Sequence, residues 1–123
     1  MSIEAERQVR DPVQVEDLIE DTKDRIAGAV LIVDEAETAM KTARRAYDHE
    51  FARAMLAADG PEYMRKAEAT QVAMTEKETA DEAEIAFHHA EREAKSLEKE
   101  LFAWQSILNS VRSMWNATGG RAS

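Results

Sequence analysis

Two long stripes of mostly apolar residues, each repeating at alternating spacings of four and three, constrain the fold of this chain more than any other feature. Such spacing places side chains on one face of an α-helix, and a heptad repeat packs two such faces with a left-handed crossing. After Tyr47 the first stripe shifts phase, in a stutter-like step. The first stripe comprises Val15, Ile19, Thr22, Ile26, Ala29, Val33, Ala36, Met40, Ala43, Tyr47, Phe51, Ala54 and Ala58, and the second comprises Ala83, Phe87, Ala90, Ala94, Leu97, Leu101, Trp104, Leu108, Val111 and Trp115.

Start and stop signals divide the chain into a short arm, one helical domain and a tail. Asp11-Pro12 predicts an N-cap and a helix start, and Asp59-Gly60-Pro61 predicts the main turn, with the next helix starting at Pro61. Thr75 with Glu78 fits a capping box, so a break or kink near Thr75 is an alternative to a continuous helix. We therefore expect an N-terminal arm over 1–11, a single domain over 12–117 with its turn at 59–61, and a disordered tail over 118–123.

Together the stripes predict an all-α fold, a long antiparallel helical hairpin of the coiled-coil type. With the turn near Gly60, paired residues have numbers that add up to about 120, for example Val15 with Trp104 and Ile19 with Leu101. In the middle, Gly28 and its neighbour Ala29 should face alanines of the second arm and let the two backbones approach closely.

The chain carries more large apolar residues than one hairpin interface buries. This surplus predicts an oligomer interface, and two hairpins closing into a four-helix bundle as a homodimer is the simplest arrangement. The alternative is a monomer whose helices break near Gly28 and Thr75 and fold back over the surplus. The interface residues are Leu31, Ile32, Ile85, Phe102 and Ile107.

The C-terminal end of the second stripe has no counterpart in the hairpin pairing. The residue opposite Trp115 would lie before the helix start at Pro12, so Val111, Met114 and Trp115 are predicted to overhang the first helix. An exposed aromatic and aliphatic cluster is typical of protein interfaces, and these residues form the predicted patch for a partner protein.

Composition narrows the classes of function. The chain has no cysteine, its longest apolar run is the eight residues of 26–33, and its N-terminus is charged. A membrane span needs about 20 apolar residues, so no membrane segment and no secretion signal are expected, and the default location is cytoplasmic. The net charge of −9 argues against general binding to phosphate backbones.

Acidic and histidine side chains give two weak candidates for metal sites. Glu84, His88 and Glu91 share a helical face, with His89 and Glu93 beside them. The pairs Asp34 with Glu37 and Glu78 with Asp81 have the spacing of magnesium ligands on a helix. The motifs of known bundle and zinc sites are absent, so a solvated polar face is the favoured interpretation. We expect no cofactor, no metal and no catalytic residue.

A basic cluster lies near the predicted turn, where Arg44, Arg45, Arg65 and Lys66 accompany Tyr47, Phe51 and Tyr63. Basic residues with interleaved aromatics can bind single-stranded nucleic acid. Acidic residues interrupt the cluster, and residues 38–68 carry a net charge of only +1. Nucleic-acid contact is therefore the less favoured interpretation.

Residues 46–112 resemble a group of small helical proteins encoded by tailed phages of actinobacteria. The resemblance rests on ARAMLAADG at 52–60, Arg65-Lys66-Ala67, and the run from Lys95 to Ser106. It implies a non-catalytic phage accessory protein that acts as a helical scaffold or adaptor. The alternative is an accessory factor in phage DNA recombination that contacts single-stranded DNA or its binding protein.

Overall fold

The computed structural model describes residues 11–118, which form three α-helices and no strand. Helix α1 spans Pro12–Ala57, α2 spans Glu62–Val72, and α3 spans Met74–Thr118. The all-α prediction is therefore confirmed for these residues. The arm at 1–10 and the tail at 119–123 lie outside the described residues. Within 11–118, no helix carries an apolar stretch that is long enough to cross a lipid bilayer.

The helix start at Asp11-Pro12 is confirmed. The backbone N–H of Val13 donates a hydrogen bond of 2.9 Å to Oδ1 of Asp11, which satisfies one of the free donors of the first turn. Pro12 is the first helical residue, where its missing N–H costs no hydrogen bond.

The predicted turn at 59–61 is also present, with a small change at its end. Gly60 has a φ of +101°, a conformation that L side chains rarely adopt. Pro61 is extended, with a ψ of 157°, so it is the N-cap residue of α2 and the helix begins one residue later than predicted, at Glu62. The carbonyl of Pro61 accepts hydrogen bonds from the N–H groups of Met64 and Arg65.

The break expected near Thr75 lies instead at Ala73. Ala73 has φ −93° and ψ 12°, and α3 begins at the next residue. Its N–H still donates to Ala69 and its carbonyl still accepts from Lys77, both at 2.9 Å, so the interruption affects a single residue. Thr75 lies inside α3, and no break occurs at Gly28, because α1 continues through it.

The chain divides into two compact units. Among the described residues, the first unit comprises 11–30 and 93–118, and the second unit comprises 31–92. In the first unit α1 and α3 bury a cluster of Val15, Ile19, Trp104 and Leu108. Both members of the predicted pairs Val15–Trp104 and Ile19–Leu101 belong to this cluster or pack against it.

Ion pairs in the first unit show that its two helical segments run antiparallel. Glu16 contacts Arg112 at 2.7 Å, and Arg25 contacts Glu100 at 3.4 Å. These partners lie about one to two helical turns further along α3 than the predicted pairing.

In the second unit α1 and α3 also run antiparallel, and α2 joins them. Arg44 contacts Glu84 at 2.9 Å, and the Lys77 ammonium lies 5.4 Å from the centre of the Tyr47 ring. Apart from Met40, the buried apolar residues here are all alanines, namely Ala54, Ala69, Ala73, Ala80 and Ala90.

The burial pattern follows the two stripes closely. Every position of the first stripe is buried or partly buried, including those after the phase shift at Tyr47, and so is every position of the second except Trp115. Gly28 departs from the prediction, because no atom lies within 4 Å of the position that a Cβ would occupy. It therefore lies on an open face of α1 and not at a close approach of backbones.

Candidate functional site

The predicted oligomer interface in the second unit consists of exposed side chains that are well separated. Leu31 is 64% exposed, and Ile32 and Ile85 are similarly open to solvent. The contact of Arg44 with Glu84 places Ile85 opposite the part of α1 near residue 43. Ile85 is thus about 12 residues, or roughly 18 Å, from Leu31 along the helix axis. Leu31 and Ile32 therefore form a surface of their own.

The two interface residues predicted in the first unit differ from each other. Phe102 is 72% exposed and lines a shallow groove on α3 with Lys95, Glu98 and Lys99. Ile107 is partly buried and packs against the core cluster. Phe102 is therefore the more accessible of the two.

The predicted patch for a partner protein begins later along α3 than expected. Val111 packs against the cluster that contains Val15, and Arg112 is paired with Glu16. Val111 therefore does not overhang α1, because the pairing of the helices is shifted along α3. Met114 and Trp115 are exposed, Trp115 by 50%, and we call these two residues the end patch.

Most of the basic cluster is engaged within the second unit. The guanidinium of Arg65 donates two hydrogen bonds, of 3.0 and 3.2 Å, to the carbonyl oxygen of Met55. That carbonyl belongs to the last turn of α1, where backbone acceptors lack helical partners and a cation is favoured by the helix dipole. The position of Arg65 is thus explained by capping of α1.

Two of the other three basic residues of the cluster are paired with acids, so little positive charge remains to bind phosphates. Arg44 is paired with Glu84, and Lys66 lies 3.9 Å from Glu62. Arg45 is exposed. A phosphate-binding surface needs several uncompensated cations together, and this arrangement does not provide them at Arg44, Arg65 and Lys66.

A charge pair on α1 gives the clearest electrostatic perturbation in residues 11–118. Arg53 donates hydrogen bonds to both carboxylate oxygens of Glu50, one of them at 3.1 Å from Nε. These hydrogen bonds and the charge of Arg53 lower the pKa of Glu50 below its ordinary value of 4.5. The same contact raises the pKa of Arg53 above its ordinary value.

The metal site predicted around His88 is a row of exposed side chains on the surface of α3. Nδ1 of His88 lies 3.2 Å from Glu91, and Nε2 lies 3.7 Å from Glu84, whose carboxylate also contacts Arg44. Over residues 11–118 there is no group of three or more histidine, aspartate or glutamate side chains arranged to hold a metal ion. The arrangement is that of a surface ion-pair network.

Sequence reasoning missed several exposed apolar residues of the second unit, which lie near the turn at Gly60 or beside the interruption at Ala73. Leu56 is 84% exposed and Tyr63 is 73% exposed, and Met64, Val72 and Met74 are also accessible. The prediction used Tyr63 only as an aromatic neighbour of the basic cluster. In the sequence, the signal for them is that these large apolar side chains fall outside the positions of the two stripes.

Comparison with known proteins adds no relative, because no protein-family model, no curated protein and no solved structure matches the chain. The resemblance to helical phage proteins stays a prediction.

Proposed function

We propose that this protein is an antiparallel helical hairpin that dimerises, and that it acts as a non-catalytic scaffold or adaptor through protein–protein contacts. The observation that carries the proposal concerns burial in α1 and α3. The stripe residues of both helices, except Trp115, are already buried or partly buried within the chain, while Leu31, Ile32 and Phe102 stay exposed. The antiparallel contacts within each unit support the hairpin.

Hydrophobic burial supplies the driving force for self-association. Full burial of a leucine, isoleucine or phenylalanine side chain contributes about 1.5–3 kcal/mol. A two-fold dimer buries each exposed residue twice, so even two such residues per chain provide several kcal/mol. Association of two hairpins into a four-helix bundle is the simplest way to cover them.

Sedimentation velocity at tens of micromolar tests the proposal. The unmodified protein should sediment as a dimer, and Leu31→Glu combined with Phe102→Glu should give a helical species of half the mass, because a charge at a buried interface is strongly unfavourable. The matched control is Gln14→Glu with Gln105→Glu, which adds the same charges at exposed polar positions of the same two helices. A monomeric unmodified protein contradicts the proposal.

The adaptor role assigns a second surface to a different protein. The end patch is an exposed tryptophan beside a methionine, a pair of residue types enriched in protein interfaces. We place this function in the cytoplasm of a bacterial host, as an accessory protein of phage type. Affinity purification from actinobacterial lysate should recover a partner that is lost with Trp115→Ala and kept with Trp115→Phe.

A further inference from the structure

The turn between α1 and α2 contains the pair Asp59-Gly60, and Gly60 is the only glycine of the chain that follows an aspartate or asparagine. Both residues are exposed, and both lie outside the helices, since α1 ends at Ala57 and α2 begins at Glu62. In such a pair the backbone nitrogen of the glycine can reach the carboxyl carbon of the preceding side chain. The turn therefore places a nucleophile and an electrophile of the same chain side by side.

The structure leaves this pair free to react. Among residues 11–118, the N–H of Gly60 donates no hydrogen bond and the carboxylate of Asp59 accepts none. Gly60 has a φ of +101°, and no atom beyond its chain neighbours lies within 4 Å of the position that a Cβ would occupy. No side chain therefore obstructs the approach of its nitrogen. Because Asp59 is exposed, water also has access to the site.

We infer that Asp59 is a site of spontaneous isomerisation, where aspartate converts to isoaspartate through a cyclic succinimide. The backbone nitrogen of Gly60 attacks Cγ of the protonated Asp59 carboxyl group. The N–Cγ bond forms and a Cγ–O bond breaks, and the leaving hydroxyl takes the proton of the amide nitrogen and departs as water. Water then adds to one of the two carbonyl carbons of the ring.

The carbon to which water adds decides the product. Attack at Cγ restores aspartate. Attack at the main-chain carbonyl carbon of residue 59 breaks its bond to the Gly60 nitrogen, so the chain continues through Cγ and the former carbonyl becomes a free α-carboxylate. The backbone then contains one additional carbon. The reaction releases one water and consumes one, so it needs no cofactor, oxidant or other reactant.

The additional carbon lies between two groups that hold α2 against α1. Arg65 of α2 donates two hydrogen bonds to the Met55 carbonyl of α1, and Asp59 lies between these residues in the chain. The exposed α-carboxylate is the group that protein isoaspartyl methyltransferases methylate. Isomerisation does not require self-association, so it stands apart from the proposed function.

Storage of the purified protein at neutral pH for several weeks tests the reaction. Methylation by a protein isoaspartyl methyltransferase measures the isoaspartate. Peptide mapping locates it, because the modified peptide keeps its mass but resists a protease that cleaves before aspartate. Isoaspartate should accumulate at residue 59 and not at Asp34 or Asp48, which lie inside α1. In the matched control Asp59→Glu the methylation should be lost, since the equivalent ring is larger and forms far more slowly. Unmodified Asp59 after storage overturns the inference, and so does undiminished methylation of the Asp59→Glu protein.

A second aspartate–glycine pair separates the effect of the turn from that of the sequence. His49→Gly creates this pair with Asp48 at an exposed position inside α1, where the N–H of residue 49 donates to a helical carbonyl. In the folded protein Asp48 should isomerise at least about tenfold more slowly than Asp59, because the helix must first open locally. In concentrated urea the two sites should react at similar rates. Equal rates in the folded protein, with its helix content unchanged by circular dichroism, would overturn the role of the turn.

Discussion

The two units of the chain bury very different side chains. The first unit has a core of large residues, with Val15 and Ile19 from α1 and Trp104 and Leu108 from α3. The second unit buries one large residue, Met40, and otherwise alanines from all three helices. Hydrophobic stabilisation scales with the apolar area removed from water, so each alanine contributes much less than a leucine or a tryptophan.

The second unit compensates with contacts that its small side chains permit. Alanines allow helices to pack closely, and long basic side chains then contact groups of the neighbouring helix. Arg65 donates hydrogen bonds to the Met55 carbonyl, and the Lys77 ammonium lies over the Tyr47 ring. The comparison teaches that the two units should respond to opposite changes. The first should be sensitive to truncation of a side chain, and the second to enlargement.

The largest expected effect is truncation of the tryptophan in the first unit. Trp104 is 3% exposed, so Trp104→Ala should lower the free energy of unfolding by about 3–5 kcal/mol, because it removes apolar burial and leaves a cavity. Urea unfolding at one fixed protein concentration measures the loss, since self-association also affects stability.

Trp115 provides a control of the same residue type on the same helix. Because it is half exposed, Trp115→Ala should cost less than about 1 kcal/mol. Equal losses for the two variants would show that Trp104 does not form the centre of a packed core.

The second unit should be most sensitive to an enlarged side chain. Ala69 is fully buried on α2, so Ala69→Leu should destabilise the protein by about 1–3 kcal/mol through overpacking. Ala67→Leu, two residues away at an exposed position, should be nearly neutral. A neutral Ala69→Leu would mean that the alanine layer is loosely packed.

The sequence predicted the helices and their buried faces well, since 4-3 periodicity depends only on helix geometry. It located Asp11-Pro12 and Gly60 because each has a local conformational signature. The break expected near Thr75 lies two residues earlier, at Ala73. An interruption that keeps its flanking hydrogen bonds needs no glycine or proline, so no such residue marks its position in the sequence. The pairing of α1 with α3 was misplaced because it was counted from the turn, without α2 and the interruption at Ala73.

Candidate surfaces were harder to predict than the fold. Periodicity identified Leu31 and Phe102 as surplus, but it did not show that Ile107 and Val111 pack against the core. The role of Arg65 could not be read from sequence, because its acceptor is a backbone carbonyl ten residues away. Such contacts depend on how the chain turns and not on local residue type.

A smaller effect is expected when the cap that Arg65 forms on the last turn of α1 is removed. Arg65→Met keeps a long side chain but loses both hydrogen bonds to Met55, and the free energy of unfolding should fall by about 1–2 kcal/mol. Lys66→Met is the matched control, since its only described ion pair is a long, exposed contact with Glu62 and should contribute little. A loss confined to Lys66→Met would contradict the capping role.

The smallest predicted effect is a pH dependence from the charge pair of the second unit. Because Arg53 lowers the pKa of Glu50 below 4.5, the folded state holds the Glu50 proton less tightly than the unfolded chain does. The stabilisation is therefore present above about pH 4.5 and is lost as the pH falls through the lowered pKa of the folded state. The difference in free energy of unfolding between the unmodified protein and Glu50→Gln should shrink from about pH 6 to about pH 3. In an Arg53→Gln background that change with pH should disappear, and its persistence there would assign the pH dependence to another group.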